Sequence, residues 1–311
     1  MSTTNIETYT FPLELSSSKL VKQLRAWPYK QRRSYCWDNF QPRFERFTYR
    51  YSSFNSEDNI SIERAKDVLL RSSMWLSAPQ DFNDPFDCHA QTINEESATK
   101  RRAKVDLLIR KFEPNLNGLK RRHRVDQLMT RPPSEWFKTI SRMMREDIRS
   151  LGVVCFSDDP RSLLMWSHYA RNHTGVCYQY EPINDLDIFS RALQVEYTNI
   201  YPTFNPFTYK DDESIKMLLT KYKDWKYEKE RRIIAPGGAH KYLKFSPSSL
   251  SGIVIGARTS ESDISVLLQV ITERNAQGLP PVKVYQIRQH VGFYRLTIHK
   301  GNDGIRGSDF N

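Results

Sequence analysis

The sequence predicts an α+β fold: a mainly antiparallel or mixed, split sheet with helices set on it and a basic helical insertion. Short apolar or alternating runs recur from Phe47 to Ile298 and are bounded by turn formers, which reads as many short strands. Apolar residues at helical spacing fall between them in several stretches. The regular strand–helix alternation of a parallel sheet is missing from the sequence, as are the Gly-rich dinucleotide turn and the P-loop.

Residues 1–46 read as an N-terminal arm. Within it, Lys30-Gln-Arg-Arg-Ser-Tyr-Cys-Trp37 interleaves cations and aromatics, a pattern that serves single-strand stacking or plain packing equally. Phe47–Ser52 alternates as a strand, with Tyr49 and Tyr51 on one face and Arg50 on the other. A helix from Ile62 to Ser72 and a strand from Met74 to Ala78 follow. Pro79–Asp87 is dense with turn formers; Asn83, Asp84 and Asp87 are either self-bonded Asx side chains or oxygen ligands for a metal. In the 97–150 segment, Val105, Leu108, Ile109 and Phe112 recur at helical spacing, and a second helix starts at Ser134 and carries Trp136, Phe137, Ile140 and Met144.

Gly152–Phe156 is apolar and β-branched, hence a buried strand. Ser157, Asp158 and Asp159 offer caps to a helix that begins at Pro160 and runs to about Asn172, with Gly175 as its left-handed stop. Strands are predicted after Gly175 as far as Tyr178 and at Leu193–Tyr197, Arg231–Ala235, Ser248–Ala257, Val282–Ile287 and Tyr294–Ile298, and helices at Asp212–Asp224 and Glu261–Asn275. Residues 47–299 thus form one domain containing the 97–150 insertion, and 300–311 a flexible tail.

A net charge of +11 calls for an anionic partner such as nucleic acid or a phosphate-bearing cofactor. Fifteen Lys/Arg against six Asp/Glu fall between residues 100 and 150, so most of that charge is local. Arg101, Arg102, Lys120, Arg121, Arg122 and Arg124 are the candidate nucleic-acid contacts; a solvated helix face is the plain alternative. The four cysteines form no CxxC pair, which argues against structural zinc and a disulfide scaffold. No basic start precedes an apolar run, and no apolar stretch reaches the roughly 20 residues of a membrane span. The expectation is a cytoplasmic protein with no membrane partner.

The strand–turn–helix around Cys155–Tyr169 holds Arg161, Ser162, Trp166, His168 and Tyr169, more polar and aromatic chemistry than a core needs. Glu228 and Glu230 stand two apart, so extended backbone would turn both carboxylates to one face and Lys229 away. Such a pair could stabilise a cationic sugar centre or hold a divalent metal. It could equally be a charged strand end with weak Glu–Arg pairs. Arg161 and Arg50 are the candidate anion forks.

Three motifs together, Phe82-Asn-Asp-Pro-Phe-Asp87, Cys155-Phe-Ser…Leu164-Met-Trp-Ser-His-Tyr-Ala170…His173-Thr-Gly-Val-Cys177 and Trp225-Lys-Tyr-Glu-Lys-Glu-Arg-Arg232, resemble the bacterial family catalogued as domain of unknown function 2971. The likeness covers roughly residues 47 to 260, and members of that family look like accessory or phage-defence genes. More distantly, Cys155-Phe-Ser…Pro160-Arg-Ser-Leu-Leu-Met-Trp166 resembles the strand and Pro-Arg-Ser-Met segment of DarT-type DNA ADP-ribosyltransferases. That resemblance implies a split ADP-ribosyltransferase sheet, NAD as cofactor, and a nucleic acid or protein as acceptor, in a defence or toxin effector.

Carried over by position, Tyr49 or Arg50 would contact the ribose, with Ser157 at the end of the second strand. Arg161 would touch the pyrophosphate or the reacting sugar. Trp166 or Tyr169 would stack on nicotinamide, and Glu230 or Glu228 would be the catalytic carboxylate. The sequence departs from that pattern at the first strand, which lacks a His-Gly-Thr signature, and in the hundred or so residues before the second strand. A metal-dependent nuclease built on Asp84, Asp87, Glu228 and Glu230, and a non-catalytic interaction protein of a defence system, are the competing expectations.

Overall fold

Residues 7–10, 28, 30–31, 46–92, 97–204 and 211–300 are described by a computed structural model. The expected arm and tail lie almost wholly outside these residues. The chain divides into two units. Met1–Ser77, Gly152–Val195 and Asp224–Asn311 make the first; Ala78–Leu151 and Glu196–Lys223 make the second. The expected 97–150 insertion falls within the second unit, together with residues outside that range. The fold is α+β, with a mixed, mostly antiparallel sheet and several helices.

The first unit is built on eight strands: β1 (Thr48–Ser52), β2 (Gly152–Ser157), β3 (Val176–Tyr180), β4 (Leu193–Gln194), β5 (Glu230–Ala235), β6 (Leu250–Ile255), β7 (Lys283–Gln289) and β8 (Leu296–Lys300). Their order in the sheet is β8-β7-β6-β3-β1-β2-β5-β4. Every neighbouring pair is antiparallel except β6 and β7, which run parallel because helix α3 (Glu261–Ala276) carries the chain across between them. Ser260 caps α3 by accepting from the Asp263 amide.

The centre of the sheet is its weakest seam. β1 pairs with β3 through five residues, and β2 with β5 through six, but β1 meets β2 only at Tyr49 and Ser157. A hydroxyl reinforces the seam, Thr48 Oγ1 donating to the Ser157 carbonyl at 3.4 Å. The sheet therefore splits beyond that point.

Each face of the sheet has its own core. On one face, Val68 and Leu69 of helix α1 (Asn59–Leu69) join Leu267, Val270 and Ile271 of α3, packed on Val154, Phe156, Tyr178, Tyr180, Ile233 and Ile253. On the other, Met165 and Trp166 of helix α2 (Leu163–Tyr169) pack on Tyr51, Cys177, Val254, Ile287 and Leu296. Strand alternation puts Tyr49 and Tyr51 on this second face. A three-stranded sheet, Thr8–Tyr9 beside Lys241–Lys244 beside Ser73–Leu76, completes the unit; the Lys241–Lys244 strand had no clear signature in the sequence.

Helix α2 is shorter than its sequence predicts. Ser162 caps it by accepting from the Met165 amide at 3.3 Å, so Pro160 and Arg161 lie in the turn before it rather than in its first turn. Its exit does not use Gly175 as a left-handed stop. Arg171, Asn172 and His173 adopt positive φ instead, at 47°, 53° and 70°. Gly175 is required for another reason: a Cβ there would collide with the Ser52 carbonyl and meet Ala170 at 3.0 Å.

In the second unit, helices span Ala98–Phe112, Gly118–Met129 and Pro133–Ser150. The first two bury Val105, Ile109, Val125 and Leu128 between them. Gln91–Thr92 pairs with Thr203–Phe204, and Glu196–Thr198 with Thr220–Tyr222. The predicted strand from Leu193 to Tyr197 is accordingly two short strands, one in each unit.

Candidate functional site

The second face of the sheet gathers the candidate residues. Tyr49, Tyr169, Tyr227 and Tyr285 are half-buried and border one apolar cluster around Trp166 and Tyr51. They arrive from four places: β1, the end of α2, the 3-10 turn Lys223–Glu228, and β7.

Ser157, at the end of β2, ties three segments of this face together. Its hydroxyl donates to the Glu228 carbonyl at 2.5 Å and accepts from the Asp159 amide at 3.1 Å. Tyr51 donates its phenol to the Asp159 carbonyl at 2.7 Å. Asp159 in turn accepts from the Arg161 amide at 2.9 Å and from Lys229 Nζ at 3.0 Å. Burial alone would raise its carboxyl, but the Arg161 amide and the Lys229 and Arg161 charges outweigh it and hold Asp159 below the ordinary carboxylate range.

These bonds deliver Glu228 to the end of α2. Its side chain is only 2% exposed as a residue, and its Oε1 accepts from the Tyr169 hydroxyl at 2.6 Å. A bond this short to a carboxylate belongs to the strong, charge-assisted class. Around it, the exposed His168 ring lies 6.4 Å from Tyr169, 6.3 Å from Trp225 and 6.2 Å from Tyr227. On the β1 side, burial pushes the Tyr49 phenol up to about 12, with the neighbouring Arg161 guanidinium pulling the other way. Arg161 itself is exposed.

No family model, no curated protein and no solved structure matches this chain.

Glu228 and Glu230 do not share a face through an extended backbone. Glu228 ends a 3-10 turn, Lys229 adopts a φ of 46°, and β5 starts only at Glu230. Glu230 is buried, and Arg232 clamps both its oxygens, Nε to Oε1 at 2.8 Å and Nη2 to Oε2 at 2.9 Å. A carboxylate held in a fork by a fully buried arginine is built for holding the strand, not for chemistry on a ligand. Arg231, on the opposite face of β5, shares its Nε between both oxygens of Asp158, at 2.8 and 3.0 Å.

Three further expected contacts are corrected. Arg50 faces away from Tyr49, its guanidinium 3.4 Å from the Trp75 carbonyl and its charge acting on Tyr178 and Tyr180 of the other core. Trp166 has no exposed surface; its indole donates to the Pro160 carbonyl at 2.8 Å and meets Tyr51 edge-on at 5.3 Å. Ser157 is likewise sealed inside. None of the three can meet a ligand on the Tyr49–Tyr169 face. Tyr49, Arg161, Tyr169 and Glu228 remain, and Tyr227, Tyr285 and His168 join them. Trp225 and Tyr227 were visible as an aromatic lead into the glutamates, whereas nothing in the sequence singles out Tyr285.

In the second unit, Asp84 and Asp87 play structural parts. Asp84 accepts from the Phe86 amide two residues on at 2.9 Å, the Asx turn expected of such a segment. Asp87 lies 3.4 Å from the buried Lys221 ammonium. Among the described residues, no group of three or more His, Cys, Asp or Glu is placed to hold a metal ion. Four cations of the basic helices are paired within them: Arg102 with Asp126, Arg110 and Arg121 with Asp106, and Arg124 with Glu113. Arg101 is half-buried with its Nε shielded from solvent, whereas Arg102, Lys120 and Arg122 are exposed, Arg102 within its ion pair to Asp126. No helix among the described residues is long and apolar enough to cross a membrane.

Proposed function

We propose that the chain is an ADP-ribosyltransferase-like enzyme that takes NAD as its substrate and a nucleic acid as acceptor. The observation that carries this reading is the Tyr169–Glu228 pair: a buried carboxylate, held by a phenol, at the end of a short helix beside a sheet seam. NAD supplies a ribose carbon that turns cationic as nicotinamide departs, and a fixed carboxylate is the group such a centre requires. We assign that task to Glu228, although it is nearly as buried as Ser157, because Tyr169 orients it beside the half-buried tyrosines of the Tyr49–Tyr169 face.

Tyr169 fixes the rotamer of Glu228 through its bond to Oε1. Arg161, exposed on the turn before α2, is the anion fork for the pyrophosphate. Tyr49 and Tyr285 offer aromatic faces on the rim, and with its phenol raised to about 12 Tyr49 stays a neutral donor at physiological pH. The acceptor side is supported by charge. The net +11 favours a polyanion, and the β7–β8 hairpin exposes Phe293 and Tyr294 between Arg288 and Arg295, with no Asp or Glu from Val282 to Lys300. Aromatics flanked by cations suit single-stranded nucleic acid.

The test is incubation of the protein with NAD and single-stranded DNA or RNA, following ADP-ribose on the nucleic acid. Product that disappears in Glu228→Gln but persists in Lys120→Ala/Arg122→Ala supports the reading. Absence of product with every nucleic acid tried would sink the acceptor assignment.

A further inference from the structure

The face that carries Tyr49 does not stop there. Ser157, Tyr49, Gln179, Gly252 and Lys283 are register partners on the successive strands β2, β1, β3, β6 and β7, and so share one face of the sheet. Ser157 holds the Glu228 carbonyl at one end of this row. Lys283 closes it four strand spacings away, roughly 19 Å at about 4.8 Å each. Beside Lys283 on the same face stand Tyr285, two residues along β7, and Lys300, the partner of Tyr285 on the edge strand β8.

Gly252 draws the row together. A Cβ there would lie 3.0 Å from the Tyr285 ring and 3.4 Å from the Gln179 amide nitrogen, so these two side chains take the space a larger residue would fill. A strand glycine marks a close approach of this kind. Gln179 is buried, and its Nε2 donates to Ser251 Oγ at 3.1 Å. The Tyr49 phenol senses both the Arg161 charge and the Tyr285 phenol, which puts the three heads around one patch. Exposure increases along the row: Glu228 is buried, Tyr49 and Tyr285 are half-buried, and Lys283 and Lys300 are exposed.

We infer that this row is the path by which a single-stranded nucleic acid reaches Glu228, with Lys283 and Lys300 on its phosphates and Tyr285 against an unpaired base. The path rests on the reading of nucleic acid as the acceptor and locates its binding. Lysine ammoniums suit phosphate as point charges, and stacking on a tyrosine is open only to a base freed from a duplex. A long polyanion is favoured over a second nucleotide because the cations do not end at the row. The β7–β8 ribbon carries Lys283, Arg288, Arg295 and Lys300 with no Asp or Glu among them. Strand β7 alone is about 20 Å long, a reach beyond one nucleotide.

The experiment is fluorescence anisotropy of a labelled oligothymidylate of about 12 nucleotides on the full chain, without NAD, at several salt concentrations. Lys283→Met/Lys300→Met weakens binding at least about tenfold and makes the slope of log affinity against log salt shallower by about 1.4, the value for two phosphate contacts on a single strand. Tyr285→Ala weakens binding at least about fivefold with the slope unchanged. Lys120→Met/Arg122→Met, which removes the same charge from the second unit, changes it less than about twofold. A duplex of the same length binds at least about tenfold more weakly. No binding, equal loss in both paired variants, or a duplex held as tightly overturns the inference. Because NAD is absent, the two readings fail separately. Binding of the predicted kind without transfer strikes the transfer alone, and transfer indifferent to Lys283 and Lys300 strikes the path alone.

Discussion

The Tyr169 hydroxyl donates to Oε1 of Glu228 at 2.6 Å, joining the end of α2 to the turn that leads into β5 across 59 residues of sequence. Each partner is half-buried or buried, so removing one strands the other. Tyr169→Phe and Glu228→Gln should each cost about 1–3 kcal/mol. The double variant should cost less than their sum by about 0.5–3 kcal/mol, since the two act through one bond. Urea unfolding of the four proteins measures this; strict additivity would mean the pair carries no coupling.

Glu230 should matter to stability rather than turnover. Glu230→Ala leaves the Arg232 guanidinium buried without its fork and should cost about 3–5 kcal/mol. Replacing both, Glu230→Leu with Arg232→Met, should recover much of that loss because neither member of the pair is left buried without its partner. Thermal unfolding of the single and double variants separates this from a catalytic role, which the double variant would not rescue.

Arg161→Ala should leave stability within about 0.5 kcal/mol, as expected of an exposed side chain. Its effect should fall on NAD: a KM raised at least about tenfold, the loss of one charge-assisted contact. A steady-state comparison of KM and kcat checks it.

His173 should give the fold a pH dependence. Burial, and then the Arg258 charge, lower its pKa from 6.5. The folded state therefore prefers the neutral ring, and the unfolded chain takes the proton more readily. Stability is full above the unfolded value near 6.5 and falls as pH drops below it, levelling off once the folded value is passed. His173→Asn, which tolerates the φ of 70°, should flatten the profile between about pH 7 and pH 5, read by denaturant midpoints.

Much of the fold was legible in local pattern. Gly152–Ser157, Glu261–Ala276 and Leu250–Ile255 lie where apolar runs and helical spacing put them, because their signals are local. The ends of α2 were not, since Ser162 outcompetes Asp159 as a cap once Asp159 is taken by the Arg161 amide and Lys229. The site was half legible. Tyr169 and Glu228 stood out by type, but their pairing depends on Lys229 adopting positive φ, and a lysine gives no warning of that. Trp166 looked like a stacking surface, and only packing reveals that its indole is consumed by the Pro160 carbonyl. The basic helices read as a nucleic-acid wall from their excess of Lys/Arg, and a charge count does not show that Arg102, Arg121 and Arg124 lie within ion-pair reach of Asp126, Asp106 and Glu113.

The central claim, that Glu228 is the carboxylate at the departing nicotinamide, is tested most directly by nicotinamide release from NAD in the presence of single-stranded nucleic acid. The prediction is release by the native chain and a fall of at least about a hundredfold in Glu228→Gln, with Glu230→Gln compared at a temperature where it stays folded and retaining most of its rate. Undiminished release by Glu228→Gln, or no release by the native chain at saturating NAD, would contradict it.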